Sequence, residues 1–160
     1  ITVIMGHNSE PTAAQESGKH DGNHPMELFI RDTRTGLDLV DADLTVDKYY
    51  YKNDKQFNKA VEKDFVPLET DVAVGAVHGD PGHYFARQIL AKPGYYGYHV
   101  TGTVNYFGVM DVLIDVKAIC RDVPNASAFN NPSWFGGFGC TPDIDDGKFP
   151  GKKDNRDKDD

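Results

Sequence analysis

The sequence lacks long apolar runs and clusters of basic residues, and it has very little cysteine. No stretch reaches the roughly 18 consecutive apolar residues that cross a bilayer as a helix, so we expect no membrane span. The 17 Lys and Arg residues are scattered and are outnumbered by 25 Asp and Glu, which gives a formal net charge of -8. Because phosphate binding needs clustered positive charge, no nucleic-acid partner is expected. Cations are the more natural ligands of such a chain.

The signatures of common enzyme classes are also missing. The chain contains no Gly-x-Ser-x-Gly, phosphate loop, dinucleotide fingerprint or His-Glu-x-x-His. Residues 143–147 resemble the start of a calcium loop, but Gly147 falls one position too early and no Glu closes the frame. Carboxylate pairs such as Asp111 and Asp115 have the spacing of a strand's solvent face. We therefore predict a protein without enzymatic activity.

Cysteine occurs twice, as Cys120 and Cys140, with nineteen residues between them. Neither lies in a Cys-x-x-Cys pair, so a disulfide closing a loop is favoured over two free thiols. Such a bond places the protein outside the reducing cytosol. The sequon at Asn125 predicts a glycosylated, extracytoplasmic loop. The first residue is Ile1 rather than Met, which is typical of a mature product whose targeting segment or anchor was removed, or of a chosen fragment.

What is abundant is period-two alternation. Between Pro93 and Val104 the side chains of Tyr96, Tyr98, Val100 and Val104 share one face, whereas His99, Thr101 and Thr103 share the other. This pattern predicts a central, half-buried strand of an antiparallel sheet. Tyr96 follows a Pro-Gly turn as in the tyrosine corner of immunoglobulin-like domains, so we expect its hydroxyl to bond nearby backbone.

The remaining strands of residues 1–120 are predicted from the same period-two alternation. Pro81-Gly82 and Pro93-Gly94 are two similar turns twelve residues apart, the spacing of a meander of neighbouring strands. A capping box predicts one short helix at 54–64. We predict a single all-β domain over 1–120, an immunoglobulin-like antiparallel β-sandwich of about seven or eight strands. The other strands are expected at 1–5, 26–32, 42–51, 72–76, 83–90 and 110–116.

Two segments beyond this domain have a different composition. Residues 121–140 are rich in Gly and aromatic residues and are expected to form a loop tethered through Cys120. Trp134, Phe135 and Phe138 there either plug the core or form an exposed platform for a sugar, a partner or a membrane surface. Residues 141–160 show no alternation and many charges, which is typical of an acidic disordered tail or linker.

The histidines are the candidates for chemistry. The long loop at 6–25 carries His7, His20 and His24 between Met5 and Met26, and His78 and His83 flank the next Gly-rich turn. Imidazole with thioether suits copper, and imidazole with carboxylate suits zinc or copper(II). The alternative is that these are surface histidines without a ligand. His99, among threonines, is expected to be solvated.

The turn at 79–84 followed by residues 93–103 resembles uncharacterised extracytoplasmic proteins with an immunoglobulin-like sandwich, including those of ammonia-oxidising archaea. It is also loosely similar to CopC-type and YtkA-type copper-handling modules. The similarity covers about residues 70 to 120, and residues 134–140 resemble only the archaeal group. The resemblance to the copper modules implies copper held by histidines near the amino terminus and in later loops, here His7.

These observations lead to two hypotheses from different classes. The first is an extracytoplasmic module that binds a metal, foremost copper with zinc or calcium as alternatives, at His7, His20, His24, His78 and His83. The second is a cell-surface assembly subunit that contacts neighbouring copies or a partner through strand edges or the aromatic loop. A secreted hydrolase is a third and weaker hypothesis, because it would need an unrecognised carboxylate pair in a cleft.

Overall fold

The computed structural model describes residues 1–7, 26–52, 67–87, 94–123 and 141–142. These residues form eight strands and, within the described part of the chain, no helix. The expected helix at 54–64 lies outside the described residues. The strands are β1 (Thr2–His7), β2 (Met26–Arg31), β3 (Ala42–Tyr51), β4 (Pro67–Ala76), β5 (His83–Ala86), β6 (Gly94–Tyr106), β7 (Met110–Val123) and β8 (Thr141–Pro142).

The strands form one sheet in the order β1-β2-β5-β4-β3-β6-β7-β8, and every neighbouring pair is antiparallel. β1 approaches β7 without strand pairing, so the sheet is nearly closed. The predicted all-β class is therefore confirmed. β7 continues past residue 120 to Val123, and Thr141 and Pro142 pair with it.

One core fills the inside of this curled sheet. In β6 the side chains of Tyr96, Tyr98, Val100 and Val104 are all buried in it, as the alternation predicts. β2 contributes Met26, Leu28 and Ile30 by the same period-two rule. Residues of the opposite parity lie on the outer face of the sheet. A second, smaller cluster is formed there by Tyr49, Tyr51, Tyr95 and Ile119.

The tyrosine after the first Pro-Gly turn makes a long-range contact. The hydroxyl of Tyr84, on β5, donates a 2.8 Å hydrogen bond to the carbonyl of Leu39 inside the core. Burial raises the pKa of this phenol above its ordinary value. Tyr96 is buried as well, as a corner residue would be.

The meander expected from the two Pro-Gly turns is wrong. β5 pairs with β2 and β4, whereas β6 pairs with β3 and β7, so these two strands are not neighbours. Strand pairing depends on which edges bury the most apolar surface together, and that is not readable from turn spacing. The difference matters for function because it brings β5 beside β2.

Candidate functional site

Three of the six histidines have described side chains. His78 lies exposed in the turn before β5, His83 begins β5, and His99 lies on the outer face of β6. His7 belongs to β1, where only its backbone is described, and its Cα is paired with that of Met26. His20 and His24 lie outside the described residues.

The turn before β5 positions His83 and Asp80. The amide of His83 donates to the carbonyl of Asp80 at 3.2 Å, and the amide of Val77 donates to the carbonyl of His83 at 2.9 Å. Gly82 has a φ of 72°, and a Cβ there would lie 2.7 Å from the Cβ of Asp38. Only glycine combines this left-handed conformation with such close contact. The turn therefore packs closely against the segment of this chain that contains Asp38.

Strand pairing then places His83 against two side chains of β2. The Cα of His83 is paired with that of Phe29, and the two rings stack with centroids 4.2 Å apart. Glu27 is two residues from Phe29 and therefore projects from the same outer face. Its Oε1 lies 3.3 Å from Nε2 of His83. The side chains of His83 and Glu27 are only 11% and 7% exposed.

The two ring nitrogens of His83 differ in what they contact. Nδ1 lies 2.7 Å from Oδ2 of Asp80 in a hydrogen bond. With Asp80 ionised, Nδ1 is the donor of this bond, since a carboxylate only accepts. Nε2 is near Glu27, but it is buried and has no hydrogen-bond partner among the described residues. The 3.3 Å distance is therefore a close contact that makes no hydrogen bond.

This arrangement calls for a positive charge between Nε2 and Glu27. A neutral ring protonated at Nδ1 would point the lone pair of Nε2 at a buried carboxylate oxygen, and two such acceptors repel each other. A metal ion bound to both atoms would supply such a charge. In metal sites, a histidine typically binds the ion with one nitrogen and donates the other N–H to a carboxylate, the role Asp80 has here.

The distance fits a metal as well. Zinc binds nitrogen at about 2.0–2.1 Å and carboxylate oxygen at about 2.0–2.2 Å, which in a tetrahedral site separates the two donor atoms by about 3.4 Å. Nε2 of His83 and Oε1 of Glu27 are 3.3 Å apart. Within the described ranges, however, no three His, Cys, Asp or Glu side chains are grouped so as to hold a metal. This part of the chain therefore offers two ligand atoms.

Of the five predicted metal-binding histidines, the three in the described ranges, His7, His78 and His83, are not brought to one point. The Cα of Met26 is paired with that of His7 on one side and with that of Ala86 on the other. His83 lies three residues from Ala86 along β5. At about 3.4 Å per residue this is roughly 10 Å. His78 is exposed on the turn. Of the predicted set, only His83 has a built environment among the described side chains.

His99 differs from its expectation. Its Nε2 lies 2.7 Å from Oδ1 of Asp115 on β7 and its side chain is largely buried, so it is paired rather than simply solvated.

Sequence reasoning missed three residues of the site: Glu27, Phe29 and Asp80. Asp80 had a usable signal, since it lies three residues before His83 in a turn motif and such spacing brings side chains together. Glu27 and Phe29 had none, because their contact with His83 depends on the pairing of β2 with β5.

Of the remaining predicted site residues, Cys120 lies in the described part of the chain. Cys120 is buried in the core and is disulfide-bonded. Its predicted partner Cys140 lies outside the described residues. The same holds for the sequon residue and the aromatic platform, Asn125, Trp134, Phe135 and Phe138.

No protein-family model matches the chain, and neither does any curated protein or solved structure. The described residues contain no helix that is long and apolar enough to cross a membrane. The class that the fold defines is therefore an all-β protein built on one curled antiparallel sheet.

Proposed function

We propose that this protein is an extracytoplasmic metal-binding module whose ion lies between His83 and Glu27. The observation that carries the proposal is the buried Nε2 of His83, which has no hydrogen-bond partner among the described residues and faces a carboxylate oxygen at 3.3 Å. Asp80 orients the ring from the other side. The function is binding, and no catalytic step is part of it.

Copper(II) is the ion of choice, with zinc second and calcium third. An imidazole nitrogen with a carboxylate oxygen suits copper(II) and zinc, and copper binds such donors more tightly than zinc does. The net charge of -8 favours the approach of cations. Water or further groups supply the remaining ligands. His7, His20 and His24 are the competing location for the ion.

The cellular location and the detailed fold are part of the same proposal. The disulfide and the sequon at Asn125 support an extracytoplasmic location. The pairing of β4 supports an immunoglobulin-like sandwich. This strand pairs with β3 over most of its length and with β5 at Gly75 and Ala76. It therefore connects two halves of the sheet that lie around the core. The short helix at 54–64 remains part of this prediction.

Calorimetric titration of copper(II) and zinc into metal-free protein tests the proposal. We expect Glu27→Gln and His83→Ala each to weaken binding at least about tenfold, and Asp80→Asn to weaken it by about 10- to 100-fold as a lost orienting contact. His78→Ala, an exposed histidine of the same turn, is the matched control and should bind like the wild type. Binding should weaken on acidification because protons compete for the imidazole lone pair.

Three results would count against the site or the function. If His20→Ala/His24→Ala abolishes binding while Glu27→Gln leaves it intact, the ion lies in the loop at 6–25 and the Glu27–His83 pair is an ion pair only. If His78→Ala weakens binding as much as His83→Ala, the built site is wrong. If neither ion binds more tightly than about micromolar, the metal-binding function itself is wrong.

A second candidate function, assembly through a strand edge, is favoured by one separate observation. Along β7, β8 pairs only with Ala118 and Ile119, so the outer edge of residues 110–117 is paired with no other strand of the described structure. The aromatic platform that was the other candidate surface lies outside the described residues.

A further inference from the structure

The outer edge of β7 at residues 110–117 is long and regular, and it is paired with no described strand, although β1 approaches β7. Its ladder with β6 runs from Met110 to Cys120 without a register shift. Neither proline nor a bulge interrupts this edge, although natural proteins use both to blunt open edges. A regular edge of this length is a template for another strand.

Exposed apolar side chains cluster at this edge and at the hairpin that leads into it. Leu113 is 81% exposed, Val109 78% and Met110 58%. Leu113 projects from the outer face between Asp111 and Asp115, and Lys117 follows on the same face. Single exposed apolar residues are ordinary, but an apolar group on an open edge favours association.

We propose that β7 pairs with β7 of a second copy, antiparallel about a twofold axis at Ile114. This inference rests on the assembly function above and specifies its interface. In this register Asp111 lies opposite Lys117 of the second copy, and the reciprocal pair forms by symmetry. Val112 lies opposite Val116, each Leu113 lies opposite Asp115 of the other copy, and the two Leu113 side chains are diagonal neighbours across the axis.

Charge selects this register. Residues directly opposite in an antiparallel pair share a face, so only twofold axes centred on a residue are allowed. An axis at Leu113 would set Asp111 against Asp115, and an axis at Asp115 would set that carboxylate against its own copy. An axis at Val116 would need Ile119, whose edge is already paired with Thr141. That axis would also set opposite charges together, Asp115 against Lys117, but only the axis at Ile114 does so while leaving Ala118 and Ile119 to β8 over the whole ladder.

Sedimentation of the wild-type chain over a range of concentrations tests the dimer. We expect the mass to rise from one to two chains with concentration. Lys117→Asp should raise the dissociation constant about tenfold or more, because it places two like-charged pairs in the interface. The double swap Asp111→Lys/Lys117→Asp should restore the wild-type constant. Arg34→Asp, a charge change of the same size in an exposed turn, should leave it unchanged.

Hydrogen exchange distinguishes an edge covered by a second copy from an edge covered by the same chain. In the proposed dimer, the amides at residues 111–117 that face the edge become protected only as concentration rises. Protection that is independent of concentration in a monomer would mean that the chain covers its own edge, and the proposal would be wrong. A dimer that Lys117→Asp and Leu113→Lys leave intact would keep the assembly function but overturn this interface. A chain that stays monomeric at all concentrations overturns both.

Discussion

Asp32, the residue after β2, shows how one carboxylate organises a turn. Its Oδ2 accepts hydrogen bonds from the hydroxyl and the amide of Thr35, at 2.5 and 3.0 Å, and its Oδ1 accepts one from the hydroxyl of Tyr106 at 3.2 Å. The Thr35 hydroxyl is the main reason why the pKa of Asp32 lies below its ordinary value, although desolvation acts in the opposite direction. The turn after β2 is thereby tied to the end of β6.

This lowered pKa predicts a pH-dependent loss of stability. A carboxylate whose pKa is lower in the folded than in the unfolded chain stabilises the fold above the unfolded value, about 4, and the contribution disappears as the pH falls through the folded pKa. We expect Asp32→Asn to be less stable than the wild type at pH 7, with a difference that shrinks below about pH 4.

Urea unfolding at a series of pH values measures this difference. Asp43→Asn, a change of the same kind at an exposed position of β3, serves as the control. An equal gap between Asp32→Asn and the wild type at pH 7 and at pH 3 would contradict the assignment.

At the scale of the element, β6 is pressed against β3 at one glycine. Gly102 has a φ of 139°, and a Cβ built on it would lie 2.0 Å from the carbonyl oxygen of Asp43. That oxygen belongs to the backbone of a paired strand and cannot move away without breaking the ladder. The strand at the centre of the sheet therefore depends on the absence of a side chain at this position.

Gly102→Ala should accordingly destabilise the fold by about 3 kcal/mol or more, from overpacking and backbone strain together. Gly75→Ala is the matched control, because Gly75 also lies in a strand but its nearest neighbour, the ring of Phe85, is an ordinary 3.7 Å away. We expect that control to change the free energy of unfolding by less than about 1 kcal/mol. Similar thermal midpoints for the two variants would show that β3 can move away from residue 102 at little cost in stability.

At the scale of the whole molecule, the segment of residues 141–142 is joined to the sheet as β8. Thr141 is paired with Ile119 and Pro142 with Ala118. Cys120, the residue after Ile119, is disulfide-bonded, and the sequence contains one other cysteine, Cys140. These two facts support the bond that the cysteine content predicts.

Mass spectrometry of unreduced, alkylated protein should find a Cys120–Cys140 peptide and no alkylated thiol. Cys140→Ser should lower the free energy of unfolding by about 3 kcal/mol, because the closed loop restricts the unfolded chain. Two alkylated cysteines in the native protein would rule the bond out. Reduction of the wild type is a second measurement and should lower its midpoint to that of the variant.

The sequence by itself determines the local structure of this protein. Alternation marks the strands because burial of one face requires period two, and β3 begins and ends at Ala42 and Tyr51 as predicted. The face of each strand follows from the same rule, as Tyr98 and Val100 show. Charge and cysteine content likewise need no fold to be interpreted.

Only the tertiary structure decided which strands meet. β5 pairs with β2 rather than standing beside β6, and this pairing alone sets Glu27 and Phe29 against His83. The two strands are separated by more than fifty residues in the chain, so no local spacing encodes the contact. Sheet order is selected by the joint burial of apolar faces in one core, a property of the whole chain rather than of any segment. The sequence identifies the candidate histidines, and the pairing of β2 with β5 places the Glu27 carboxylate beside His83.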